Sequence, residues 1–303
     1  MIDLYENCRL CPRNCGTDRR NALGFCGESD KIRISRAALH FWEEPCISGS
    51  GGSGTVFFSG CGLRCIYCQN AEIALSHSGI EISEERLIEI FFELQEKGAH
   101  NINLVTPSHF TPSVVSAIDK AKKSGFSLPF VWNSSGYEKR ETLELLRGKI
   151  DIFLPDLKYF SSETAKNFSH APDYFEKASE AIDVMVDIAG TPSFASDGLM
   201  RSGVIVRCLV LPAHTNEAIS IIKHLYERYA DGIYLSIMNQ YTPTRRDFAF
   251  KELSRKLTTY EYDKVVSFAL DIGVKNAYTQ GREAASESFI PPFDHTGVLK
   301  ERK

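Results

Sequence analysis

Three cysteines share one short loop: Ser59 to Asn70 reads SGCGLRCIYCQN, spaced Cys61-x3-Cys65-x2-Cys68. Thiolates are the ordinary ligands of iron–sulfur clusters. Each of the three can hold one iron of a 4Fe-4S cluster, which leaves a fourth iron open to bind a substrate. Gly62 helps so short a loop turn around a cluster, and Tyr67 sets an aromatic ring beside it. A structural zinc site with a remote fourth ligand, or packing cysteines with no metal, is the alternative. Zinc sites usually pair Cys-x2–4-Cys with a second pair at a distance, and a lone tight triplet suits them poorly.

A second thiol group precedes the first as Cys8-x2-Cys11-x3-Cys15-x10-Cys26. Four thiolates close either a tetrahedral zinc site or a second, auxiliary cluster, and leave no open coordination position for chemistry. A metal-free segment is the third reading. Gly16, Gly24 and Gly27 favour tight turns around a metal. Cys46 lies near Glu43 and Glu44, which raise a thiol pKa, and Cys208 sits in an apolar strand as a packing residue. Neither is assigned a role. Clustered thiols suit a reducing cytosol, and Met1 to Leu10 carries Asp3 and Glu6 where a signal sequence would be basic and then apolar, so a cytoplasmic protein without membrane spans is expected.

The elements that must position these thiols follow from periodicity. Thr55–Ser59, Asn101–Val105, Leu128–Trp132, Ile150–Leu154, Val204–Leu211 and Ile233–Ile237 read as strands. Helical patterns separate them. Ser83 before Glu84 and Glu85 starts one helix, Thr111-Pro112 another, and Thr258 with Glu261 forms a capping box before a third that ends at Gly273. Further helices are expected near Thr142–Arg147, Asp173–Ile188 and Asn216–Tyr229. Six strands, each followed by a helix, imply an α/β fold with a parallel sheet covered by helices. The expected division is a cysteine-rich segment and linker at 1–54, with Ser48–Gly54 as the flexible part, a body at 55–285, and an extended tail at 286–303. At 303 residues, 43% apolar and 24% charged, the chain can bury a real core. Its formal charge of −4 gives no electrostatic reason to bind nucleic acid or an anionic membrane, so small molecules or proteins are the expected partners.

The three-cysteine loop, with an aromatic residue just before its third cysteine, resembles the signature of the radical S-adenosylmethionine (SAM) superfamily. The resemblance implies a partial parallel (β/α)6 TIM-like barrel with a small N-terminal metal-binding segment. It also implies a 4Fe-4S cluster on Cys61, Cys65 and Cys68 whose open iron binds SAM, reductive cleavage of SAM to a 5′-deoxyadenosyl radical, and Tyr67 near the adenine. Within the superfamily the chain is most similar to pyruvate formate-lyase activating enzymes and their uncharacterised relatives. That likeness implies activation of a glycyl radical enzyme and a flavodoxin- or ferredoxin-type electron donor. A small-molecule substrate or a ribosomal peptide is the alternative, and a non-catalytic zinc-binding scaffold is the reading from another class.

Segments after successive strands carry the rest of the resemblance. Thr106 and Ser108 stand where the family has a Gly-Gly-Glu stretch that contacts the SAM amino group, and their hydroxyls offer acceptors instead. His109 beside them is either a substrate-side acid or base or a hydrogen-bonded loop residue. Asn133, Ser134, Ser135 and Gly136 resemble an Asp-Thr-Asn-Gly segment that contacts SAM and a monovalent cation; an ordinary polar turn is the alternative. Asp156-Leu157-Lys158 resembles an Asp-Leu-Lys with the acid near SAM and the lysine toward substrate, or else a surface ion pair. His214, after the fifth strand, matches a segment near SAM. Arg207 interrupts that strand and is either paired inside a barrel or at an edge.

Overall fold

The computed structural model describes residues 4–243, 249–281, 284 and 290–300. Among them, no helix is long and apolar enough to cross a membrane. In chain order the elements are β1 (Arg33–His40), α1 (Pro45–Ser48), β2 (Ser53–Phe58), α2 (Ala71–Leu75), β3 (Ile80–Glu81), α3 (Glu84–Glu96) and β4 (Ile102–Val105). Then come α4 (Thr111–Lys123), β5 (Phe130–Ser134), α5 (Arg140–Leu143), β6 (Ile152–Pro155), α6 (Ser162–Ser169) and α7 (Tyr174–Ala189). The chain continues through β7 (Ser193–Phe194), β8 (Met200–Leu209), α8 (Thr215–Tyr229), β9 (Tyr234–Met238), α9 (Thr259–Asp271) and β10 (Ala277–Thr279).

One sheet runs in the order β10-β9-β8-β6-β5-β4-β2-β1-β3, with β7 attached to β8. Along the main path from β2 to β10 every neighbour is parallel, while β7 is antiparallel to β8 and β1 is antiparallel to both β2 and β3. The order is linear, so the sheet is an open partial barrel. The six expected strands are the parallel body, joined by a seventh, β10, whose three residues are too few to show alternation. Four short or antiparallel strands thus lay outside the expectation: β1, β3, β7 and β10. β1 falls inside the segment expected to precede the body, and β2 begins at Ser53, within the expected linker.

Side chains alternate across each strand, and that alternation divides the interior in two. Phe130 and Trp132 of β5, Phe153 of β6, and Val204 and Val206 of β8 face outward into the main core beneath the helices. The inner face of these strands is apolar at the start and polar at the end. Val131, Ile152, Leu154 and Ile205 pack around Cys46 and Ile47 of α1, which plugs the barrel bottom. Farther along the same face come Asn133, Asp156 and Arg207, which line a cavity at the C-terminal ends of the strands. Helix ends were set locally, as expected: the Ser83 side chain accepts from Arg86 N, and Thr258 and Glu261 make the reciprocal capping box. Arg140–Leu143 continues as a short 3-10 turn, so the expected helix there is two shorter pieces.

Candidate functional site: a thiol-lined cavity

The three-cysteine loop follows β2 directly. Its left-handed positions are Gly60 (φ +82°) and Arg64 (φ +57°), so these residues rather than Gly62 make the turn. A Cβ at Gly60 would lie 2.9 Å from Cys26 O, a close approach that only glycine allows. The loop is tied down from several sides. Cys61 N donates to Cys26 O (3.1 Å), Ile66 N to Phe168 O (2.9 Å), and Arg13 Nε to Gly62 O (2.8 Å). Cys61, Cys65 and Cys68 then face one cavity of about 570 Å³.

Burial pushes the Cys68 thiol up to about 12, and Cys65 and Cys61 add to the shift. Burial likewise raises Cys65, with Lys158 opposing it. Cys65 and Cys68, held above the ordinary thiol range by burial, become stable thiolates only beside concentrated positive charge, which iron supplies. Among the described residues no group of three or more His, Cys, Asp or Glu side chains is gathered tightly enough for a single metal ion. A four-iron cluster asks for something different, one thiolate per iron. The donor chemistry of this loop fits that group.

Thr106, Asn133, Ser134, Ser135, Asp156 and Lys158 all line the same cavity, each from the C-terminal end of a strand. Thr106 holds a left-handed φ of +59°, with its N–H donating to Asn133 O at 2.8 Å. A non-glycine residue there is strained, and such strain concentrates at functional sites. Lys158 Nζ lies 2.5 Å from Asp156 Oδ2 inside the cavity, which excludes a surface ion pair. Burial pulls the ammonium down, but Asp156 and the Cys65 sulfur outweigh it and hold Lys158 above its ordinary value. Tyr67 is buried, its ring edge-on to Tyr159, Phe168 and Tyr241, and it too lines the cavity.

Arg207 is paired inside the barrel. Its Nε and Nη2 reach Glu44 at 2.9 and 2.7 Å, and Nη2 also meets Glu43. Asn103 Nδ2 donates to Glu43 Oε1 at 2.8 Å and extends this polar network at the cavity floor, while Asn103 Oδ1 is buried without a partner among the described residues. Burial pulls the guanidinium down, yet Glu43 and Glu44 hold it well above its ordinary value. The sequence signal for these two acids was Arg207 itself, since a buried cation demands a partner; nothing local said which.

Three other residues lie elsewhere. Ser108 Oγ donates to Glu138 Oε1 (2.6 Å), as do Trp132 Nε1 (2.9 Å) and, to Oε2, Ser134 Oγ (2.5 Å). Glu138, unremarked in the sequence, is a buried carboxylate that fixes Ser134, while Ser108 itself is not in the cavity wall. His214 sits before α8, with Nε2 3.6 Å from Glu252, beside a separate small pocket. His109 is buried with Nε2 2.7 Å from Ser59 O, outside the cavity lining, and burial and then Arg19 push its pKa down to about 3.

The N-terminal thiols lie against the loop. Cys8 and Cys26 are buried, Cys11 is partly covered and Cys15 is exposed. A Cβ at Gly62 would stand 3.5 Å from Cys11 Sγ. Arg19, fully buried, donates to Glu28 O (3.1 Å), His109 O (2.5 Å), Ser29 O and Cys8 Sγ (3.8 Å).

Comparison with known proteins agrees with this geometry. Over 274 residues the chain is 26% identical to an uncharacterised protein of Methanocaldococcus jannaschii, covering 88% of this chain and 75% of that one. A solved radical SAM methyltransferase from Sphaerobacter thermophilus shares the fold with a TM-score of 0.51 at 12% identity, over 75% of this chain and 66% of that one. Streptococcus suis SuiB, solved bound to SAM, gives a TM-score of 0.49 at 13% identity over 73% of this chain and 48% of its own. The chain thus spans just under two thirds of the first solved enzyme and about half of the second. The model of the radical SAM superfamily matches residues 55–225, more than half of the chain, from within β2 into α8. The chain belongs to the radical SAM superfamily, whose members use a 4Fe-4S cluster and SAM to generate a 5′-deoxyadenosyl radical.

Proposed function

We propose that this chain is a cytoplasmic activase that takes a hydrogen atom from a glycyl residue of a partner enzyme, as pyruvate formate-lyase activating enzymes do. The cavity carries the reading: three thiols and the ends of seven parallel strands meet in one space. When bound, the cluster and SAM supply an electron and, from the cleaved sulfonium, a carbon radical that abstracts hydrogen. Cys61, Cys65 and Cys68 hold three irons. Thr106, Asn133, Ser134 and Asp156 offer oxygen donors of the kind that hold an ammonium group and ribose hydroxyls. Phe57, Leu63, Val105 and Leu209 line the remaining wall and keep water away from a reactive radical. The cavity, about 570 Å³, lies within the roughly 300–1,000 Å³ of small-molecule sites. Phe41 and Trp42, exposed and lining the cavity, give a protein segment an apolar surface to meet. A flavodoxin- or ferredoxin-type protein is the electron donor of this reading.

The reading includes a second metal–thiolate centre, zinc or an auxiliary cluster, on Cys8, Cys11, Cys15 and Cys26, whose sulfurs such a centre would have to draw closer than they stand. The buried Arg19 guanidinium supports it, because its hydrogen bonds go to carbonyls and to the Cys8 sulfur, and thiolates are the anions its charge would face.

Dithionite-dependent formation of 5′-deoxyadenosine from SAM by the anaerobically reconstituted chain tests the chemistry. Cys65→Ala is expected to abolish it. A partner carrying deuterated glycine is expected to pass deuterium to 5′-deoxyadenosine; transfer from a small molecule instead would replace the activase reading with the alternative.

A further inference from the structure

Cys65 has a polar neighbour that the cysteine motif does not foretell. Ser169, the last residue of α6 and fully buried, places Oγ 3.0 Å from Cys65 Sγ. Tyr159 Oη lies 2.7 Å from Ser169 Oγ and 2.8 Å from Tyr67 Oη, and both phenols are enclosed. Three hydroxyls and one sulfur therefore form a chain away from bulk water. Each hydroxyl has one proton to give. An iron-bound thiolate has none and only accepts, so Ser169 Oγ donates to Cys65 Sγ; Tyr159 Oη gives its own proton to Tyr67 Oη and therefore meets Ser169 Oγ as a competing acceptor.

The separation is also held mechanically. Arg13 Nη2 donates to Ser169 O (2.7 Å) and Nη1 to His170 O (2.5 Å), where His170 caps α6 in a left-handed conformation. The same guanidinium reaches the cysteine loop through Gly62 O (2.8 Å) and Leu63 O (3.1 Å). One side chain of the N-terminal segment thus ties the helix end to the loop and fixes the Ser169–Cys65 distance.

Hydrogen bonds to ligand sulfur help set the potential of an iron–sulfur cluster. The cluster carries one more negative charge after reduction, so a donor at sulfur stabilises the reduced form more than the oxidised one. We propose that Ser169 is a positioning residue for the cluster: its hydroxyl, held in place by Arg13 through the end of α6, donates to the Cys65 thiolate and makes one-electron reduction easier. The inference rests on the cluster assignment above.

The test is a reductive titration of the full chain, reconstituted anaerobically, following the electron paramagnetic resonance signal that changes on adding SAM. Ser169→Ala is expected to keep its iron and to show a midpoint potential shifted to more negative values. Its signal should also lose an exchangeable deuteron coupling in heavy water. Tyr159→Phe, which removes the competing acceptor, should shift the potential the opposite way, to less negative values, and Ser169→Thr, which keeps the hydroxyl, should titrate near wild type. Full iron in Ser169→Ala with an unchanged potential would overturn the inference while leaving the functional reading intact. If Ser169→Ala does not hold its cluster, Tyr159→Phe decides, and a wild-type potential there overturns it equally. A wild-type chain that takes up no SAM-responsive cluster would overturn the functional reading, and this inference with it.

Discussion

Arg207 reaches two carboxylates more than 160 residues away in sequence, Glu43 and Glu44; Glu44 is buried and the other two side chains are mostly covered. Removing one partner of such a group leaves uncompensated charge inside the protein, at a cost of about 3–5 kcal/mol. Arg207→Ala is therefore expected to lose about that much in urea unfolding, and a Glu43→Gln, Glu44→Gln pair added to it should restore part of the loss. A change below about 1 kcal/mol would mean that water screens the network. His109 makes a prediction of opposite chemistry. Burial, then Arg19, hold its folded pKa at about 3, against about 6.5 unfolded. Below about 6.5 the unfolded chain takes up a proton that the folded chain refuses, so stability falls with pH at about 1.4 kcal/mol per unit until about 3. His109→Gln keeps a donor for Ser59 O and removes this titration. Its stability loss between pH 7 and pH 5 should be smaller than wild type's by about 2 kcal/mol, and equal losses would show that His109 is protonated in the fold.

Elements were legible where their signals are local. The starts of α3, α4 and α9 lie in Ser83, Thr111-Pro112 and Thr258 with Glu261, because a cap is a contact between residues three apart. Thr258→Ala is expected to cost about 1 kcal/mol in thermal or urea unfolding. Glu261→Ala should cost more, since that carboxylate also accepts from Ala213 N (2.7 Å) and pairs with Arg255 (2.7 Å), tying α9 to the loop before α8. The strands β3, β7 and β10 were not legible, for two or three residues carry no period. β1 was hidden for another reason: Arg33, Arg36 and His40 break its apolar run, and their partners lie in distant segments. In the site, the three thiols were legible from spacing alone, whereas Glu138, Ser169 and the Glu43–Glu44 pair become significant only when tertiary contacts bring them to Ser134, Cys65 and Arg207. The four N-terminal thiols show the limit from the other side, since their spacing allows zinc, an auxiliary cluster or no metal and does not choose among them. Replacing Cys8 and Cys26 with Ser is expected to remove one zinc or the iron of one cluster from the purified protein, and unchanged metal content would end that proposal.

Across the whole molecule, an open sheet leaves a side of the cavity that strands do not wall, and the sequence pattern gave no view of it because periodicity is silent on closure. The segment from His40 to Pro45 and the tail from Ile290 fill that side. The tail runs along β1: His295 N donates to Ser35 O (3.0 Å), Ala37 N to Thr296 O (2.8 Å), and Arg36 pairs with Asp294 (2.7 Å). Val298 is fully buried, and the Phe293 ring meets Phe57 edge-on at 5.4 Å, behind the cavity wall. Deleting residues 290–303 therefore has two expected effects. Exposing the Val298 site alone removes about 1.5–3 kcal/mol of burial, which lowers the unfolding midpoint. Losing Ile290 and Pro291 opens the cavity and weakens equilibrium binding of SAM to the reconstituted protein. Val298→Ala separates the two, because it thins the packing yet keeps the wall. The point variant should unfold earlier while binding SAM as wild type does, and the truncation should do both. If Val298→Ala weakens SAM binding as much as the deletion, the tail acts through general stability, and the open side of the barrel is closed by the segment after β1 alone.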